Sequence, residues 1–538
     1  MTRKGYLHPM KTYVWLTLFV TGLMSALWFV VGIGPGAQGT IPPAFVLGPS
    51  DLYFHSIAIG LASLLVMFVV VEFKIDKYEP SVDFPIAYRA TLATIVGAVG
   101  AFMYLRPVFH SWFAPLSTGI ILLGLLLLAD VGGALLLQLY LLPGKLMGRY
   151  DSRNNFLGMV PRWNNLPKWD DFRRMDGSYW LTIVAGVGTF IAGVIGLVVF
   201  WLQYFVVDFN VSSGIFNGLV AWEGGAATFL GAVTGPHSHV IGITLMVGVV
   251  ALVAKRYGVL DLTGWKHSLA KAGLWVSATG ICVMTFVYVL EGFFVWTPPA
   301  LFATNPGSFQ LWSYTNVNGI AADDSTMFWS SLGGLLLLAP LMLSEFKGRP
   351  AWRDPIRLAV LGTWVMAFFA TPLEGFVIEF NEAAWSGTPL DVAFGNQQYF
   401  ALFGLTMIAL AFLAVDFFQD RAGPRKSFAW FGTVVAAFAV VAGVAYTYVD
   451  PGVLAADGSL PVTTTGYVYA LGMGLVALFL VAAAASVASV PHGRLVSPEA
   501  TVTPPIPVPV PVSRETPSIA SQAANSADVE SPTGSEEK

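Results

Sequence analysis

Marked as apolar and polar positions, the chain is a succession of long apolar runs separated by short polar breaks. About twelve runs stand out, at 13–33, 53–73, 89–106, 117–141, 179–205, 237–255, 269–291, 325–345, 357–378, 397–418, 427–448 and 466–489. Each is long enough to cross a bilayer core of about 30 Å. In lipid the backbone must satisfy its own hydrogen bonds, so the runs are helices. The alternation a membrane β-strand needs is absent. The pattern predicts an all-α, polytopic membrane helix bundle of about 12 transmembrane helices.

Charge sets the orientation. With the N-terminus (Arg3, Lys4, Lys11) in the cytoplasm, the even-numbered loops carry Lys74, Lys77, Lys145, Arg149, Arg173, Arg174, Lys255, Arg256, Lys347, Arg349, Arg425 and Lys426. Of 28 Lys and Arg residues, only Arg106 falls on the outer side. The positive-inside rule therefore predicts a cytoplasmic N-terminus and a multi-pass protein of the cell membrane. Composition agrees: 55% hydrophobic and 11% charged, with a mean hydropathy of +0.67. Soluble domains carry roughly 25% charged residues.

The breaks differ in kind. Outer loops such as "GIGPGAQGTIPPAFVLGPS" hold enough apolar surface to pack as a lid. The inner loop 143–178 is long and amphipathic, and reads as an interfacial segment anchored by Trp and Phe. The bundle extends over 1–490. Residues 491–538, rich in Pro, Ser and Glu, read as a disordered cytoplasmic tail. A faint repeat pairs "YVWLTLFVTG" with "YWLTIVAGVG", and "DLYFHSIAIG" with "GPHSHVIGIT".

Candidate chemistry rests on histidine. The chain has 7, and four of them, His55, His110, His237 and His239, share one depth on the outer side. Pro236 places His237 and His239 in the first turn of the sixth span. On a helix, residues i and i+2 point about 200° apart, so this pair serves two neighbours rather than one small ion. Imidazole is a ligand for haem iron, copper and zinc.

"DLYFHSIAIG" and "GPHSHVIG" resemble heme-copper oxidase catalytic subunits in position, depth and direction. Those subunits hold haem toward the outer side, with a histidine at the start of the second helix and H-x-H on a later one. The resemblance implies that His55 pairs with His237 or His239 across one haem b. The other imidazole then reaches a second haem or a hydrogen-bond partner. The family's copper ligands, a His followed by a Pro-containing motif and a His-His pair, do not occur here, so a complete haem–copper centre is excluded. Copper or another metal stays open as a ligand of the same imidazoles.

The acids carry a second reading. Asp130 lies near the middle of the fourth span, which itself offers no nearby cation, so it is protonated, paired or lining water. A proton-path role and a neutral, hydrogen-bonded role stand level. Glu223, Glu291 and Glu374 lie at outer helix ends or in outer loops, as acceptors for ligand imidazoles or as solvated acids. Arg106 is a candidate partner for haem propionates, with an ordinary interfacial Arg as the alternative.

The single cysteine, Cys282, excludes disulfides, Cys-ligated zinc and iron–sulfur clusters within the chain. No Walker loop, dinucleotide fingerprint, C-x-x-C-H or H-E-x-x-H is present. With the basic loops explained by topology, no nucleic-acid surface remains. Three functions follow in order of weight. The first is a haem-bearing electron-transfer or oxidoreductase subunit working with other membrane or outer-face redox subunits of a respiratory chain. The second is a transporter or proton channel using Asp130, Glu291 and Glu374. The third is a metal-assisted, lipid-modifying enzyme.

Overall fold

In a computed structural model of the chain, the described residues are 3–28, 49–75, 85–104, 110–148, 166–202, 226–296, 322–343, 345–346, 349–350, 353–373, 400–419, 421–449 and 464–490. All lie within one compact unit, Met1–Leu495; a second unit, Val496–Lys538, falls outside them, and with it the tail expected at 491–538.

The helices are α1 (Arg3–Trp28), α2 (Pro49–Glu72), α3 (Ile86–Tyr104), α4 (His110–Leu146), short α5 (Trp169–Phe172), α6 (Gly177–Leu202), α7 (Ala226–Arg256), α8 (Trp265–Trp296), α9 (Ala322–Leu338), α10 (Pro355–Phe368), α11 (Leu405–Phe418), α12 (Ala422–Tyr448) and α13 (Thr464–Ala488). A two-residue antiparallel pair, Glu345–Phe346 with Arg349–Pro350, links α9 to α10. Among the described residues, nine helices are long and apolar enough to cross a membrane. Three shorter apolar helices, Thr326–Leu341, Pro355–Thr371 and Leu402–Phe418, coincide with the runs at 325–345, 357–378 and 397–418. The last two are extended by π-helical turns at Phe369–Leu373 and Phe400–Gly404.

One helix start differs from the sequence expectation. Proline 236 suggested that the sixth span begins at His237, but α7 starts at Ala226 and carries Pro236 in its interior. Proline removes one backbone donor and clashes with the carbonyl four residues earlier, which membrane helices tolerate where neighbours re-satisfy the freed groups.

Small residues set the helix contacts. A Cβ on Gly333 of α9 would overlap the backbone nitrogen of Ser277 in α8, and one on Gly273 would overlap that of Leu337. The two backbones meet directly, and the Ser277 hydroxyl donates to the Ser330 carbonyl at 2.8 Å. Without a hydrophobic drive in lipid, such close approach and interhelical hydrogen bonding supply the association. Elsewhere aromatic rings fill the space: Phe428 stacks on Phe479 at 4.5 Å, with Phe412 edge-on to both.

The interfacial inner segment is described from residue 166. There Trp169 is 63% exposed, while Phe172 packs on Tyr140 and Trp180. This aromatic group marks one end of the bundle, the same end that gathers the Lys and Arg residues; we call it the basic end, and the opposite one the histidine end.

Candidate functional site

Helices α2 and α7 run side by side in the same direction, from the histidine end to the basic end. At the basic end they are joined by an ion pair, Arg256 Nη1 to Glu72 Oε1 at 3.1 Å. Further up, Leu65 of α2 fills the space against Gly248 of α7. At about 1.5 Å per residue, His55 lies roughly 25 Å above Glu72 and His237 roughly 28 Å above Arg256. The two histidines therefore reach the same level at the histidine end.

His237 is held in a defined pose. Its Nδ1 lies 3.0 Å from the Ala192 carbonyl of α6. A carbonyl only accepts, which assigns the proton to Nδ1 and leaves Nε2 as the atom of the neutral ring with a bare lone pair. The ring sits against Gly196, where a Cβ would come within 2.6 Å of Nε2 and 2.7 Å of Nδ1. One helical turn pattern fixes the direction. Thr244, on the same face, meets the Thr189 hydroxyl of α6 at 2.8 Å, and Gly248, also on that face, meets α2. His237 thus points into the crevice between α2 and α6. His239 is half-buried and about 200° round the helix. Gly242, on its flank, packs against Leu402 and Phe403.

The other expected residues divide as follows. Arg106, Glu223 and Glu374 lie outside the described residues. His110 and Glu291 are placed on the backbone of α4 and α8, without their side chains. Of the alternatives open for Asp130, pairing is present: Arg89 of α3 donates to it across the helix interface. Among the described residues no three His, Cys, Asp or Glu side chains gather as a metal site.

Sequence reasoning missed a charged network at the basic end. Asp416 of α11, its side chain 3% exposed, accepts from Arg256 of α7 and from Arg425 of α12 at 2.6 Å. Asp354 stands 3.7 Å from Arg425 and 3.6 Å from Arg357. Arg256 lies over the Phe417 ring at 3.7 Å, and Arg357 over Tyr257 at 4.9 Å. Burial, with the Asp416 carboxylate nearby, pushes the Tyr257 phenol well above its usual range. The network joins α2, α7, α10, α11 and α12. Its bases looked like topology signals alone. The overlooked signal was an acid at the same end of each partner span: Glu72, Asp354 and Asp416.

No family model matches the chain, and comparison with curated proteins and with solved structures finds no match either.

Proposed function

We propose that this multi-pass membrane protein is a haem-binding electron-transfer subunit, in which His55 and His237 would hold one haem b. The apolar helices support a twelve-span reading, with the three shorter helices also crossing and the N-terminus in the cytoplasm. The observation that carries the haem reading is that the register of α2 and α7 brings His55 and His237 to one level, with the His237 tautomer fixed by the Ala192 carbonyl. Metal-ligating histidines characteristically donate their second ring N–H in this way, which aims the bare nitrogen and raises its basicity. Bound there, haem would supply one-electron chemistry. The chain's own part is to hold the imidazoles, exclude water with its apolar helices, and carry His239 to the opposite side of α7. Its place in the cell membrane beside outer-face redox subunits, including those of a respiratory chain, belongs to the same proposal.

The test is the visible spectrum of purified protein expressed with haem supplementation, oxidised and then reduced with dithionite. A Soret band with sharp reduced α and β bands is expected, lost in His55→Ala and in His237→Ala. A featureless spectrum from folded protein refutes the proposal. One observation favours a second reading: the network at the basic end joins five helices, as a transporter gate would. A featureless spectrum together with ion or substrate flux in proteoliposomes, lost in Asp416→Asn, would support it.

A further inference from the structure

Helices α7, α9, α10 and α11 surround a cavity in the interior of the bundle. Trp364 of α10 forms part of its wall. This residue stands ten positions beyond Asp354, about 15 Å from the basic end at the helical rise. It is 5% exposed, and among the described residues its indole Nε1 meets no acceptor. Helix α9 sets the position of the ring. The indole edge lies on Gly334, where a Cβ would come 2.6 Å from Cζ2 and 3.2 Å from Cε2. Buried indole N–H groups usually find a partner, because an unpaired donor bears the full cost of its desolvation.

Two threonines that line the same cavity define what this partner must be. Thr363 of α10 donates to the Ala359 carbonyl at 2.8 Å, and Thr406 of α11 donates to the Leu402 carbonyl. A hydroxyl has one hydrogen, so each keeps only lone pairs for an occupant. The wall therefore offers one donor and two acceptors among apolar side chains. An occupant must accept from the indole and donate to hydroxyl oxygens. A lipid chain or an apolar gas does neither, and an ion would lack a countercharge. Water does both. The cavity leaves about 10 Å³ for the centre of such a molecule. One buried water needs about 10–15 Å³ of that space and roughly two to four polar partners.

We infer that this cavity is a hydration site for one water molecule, which accepts from Trp364 Nε1 and donates to the Thr363 and Thr406 hydroxyls. The water bridges α10 and α11 at a depth where lipid supplies no hydrogen bonds. The test is radiolytic footprinting of the full-length protein in nanodiscs, read by peptide mass spectrometry. Hydroxyl radicals formed at a bound water oxidise the side chains beside it, buried or not. Met246 lines the cavity, whereas the equally buried Met284 and Met327 do not. Met246 should be oxidised severalfold faster than either.

Trp364→Phe removes the donor, and Ala409→Val fills the cavity without altering the indole. Each variant that runs as a single symmetrical gel-filtration peak should lower Met246 to the rate of the other two methionines. Having two variants keeps the test open if one fails to fold. Equal, slow oxidation of all three methionines in the wild type would mean a dry cavity and overturn the inference. So would wild-type oxidation of Met246 persisting in either folded variant.

Discussion

Gly196→Ala tests the seat of His237 most directly. The new methyl would stand 2.6 Å from Nε2 and 2.7 Å from Nδ1, and closer still to Cε1. The α6 backbone cannot retreat without disturbing the neighbouring contact between Thr189 and Thr244. The imidazole must therefore move by an ångström or more, which breaks its 3.0 Å bond to Ala192. Overpacking a filled site costs about 1–3 kcal/mol. The lost hydrogen bond adds about 1 kcal/mol. Together they predict a destabilisation of roughly 2–4 kcal/mol, read from an SDS-titrated unfolding curve of the protein in mixed micelles. Gly193→Ala supplies the control on the same helix, since a Cβ there meets nothing within 4 Å. It should be neutral or stabilising by up to about 1 kcal/mol, because alanine narrows the unfolded ensemble. The combination of Gly196→Ala with His237→Ala should cost less than the two singles added, because removing the ring vacates the space. Equal behaviour of the two glycine variants, or strict additivity in the double variant, would refute the placement of the ring.

Further outcomes follow from other contacts. Asp416→Asn leaves Arg256 and Arg425 facing a neutral group where a carboxylate with a 3% exposed side chain stood, and should destabilise by about 3–5 kcal/mol in the same unfolding assay. Glu72→Gln removes one arm of a more accessible pair and should cost clearly less, about 1 kcal/mol. Gly432→Ala puts a Cβ 2.5 Å from the tips of Phe412 and Phe479, so it should cost about 1–3 kcal/mol and alter the near-ultraviolet dichroism of the aromatic group. Gly333→Leu should separate α8 from α9, seen as rapid proteolysis and poor membrane accumulation, because its side chain would occupy the position of the Ser277 backbone.

What could be read in the sequence was what one helix carries by itself. Apolar run length placed the helices to within a few residues at most ends, because burial in lipid constrains each run separately. The i,i+2 argument for His237 and His239 is likewise internal to one helix, and the crevice occupied by His237 agrees with it. The rest turned on features that a single run does not decide. Pro236 looked like a helix start because proline is common in the first turn of a helix, whereas here the helix continues through it from Ala226. Asp130 stayed open between protonated, paired and water-lining because its cation, Arg89, belongs to the adjacent helix. Glu72, Asp354 and Asp416 passed unnoticed beside bases that topology seemed to explain.

A sequence signal for the site did exist in spacing rather than in type. The separation between Glu72 and Arg256 equals that between His55 and His239, and exceeds that between His55 and His237 by two residues. Two parallel helices joined by an ion pair at one end must bring equally spaced residues level at the other, provided neither helix is interrupted. Leu65 against Gly248 shows that the register holds midway. The pair at the basic end therefore fixes which residues of α7 stand level with His55. The contact with α6 then decides between the two candidates, since Ala192 and Gly196 receive His237 and the crevice excludes His239. Glu72→Gln should accordingly loosen the basic end while leaving the His237 seat intact, because Thr189–Thr244 and Leu65–Gly248 hold the register above it. Under the haem proposal that variant keeps its reduced α band, whereas Gly196→Ala shifts or loses it. The reverse result would mean that the ion pair, not the α6 contact, sets the position of the imidazole.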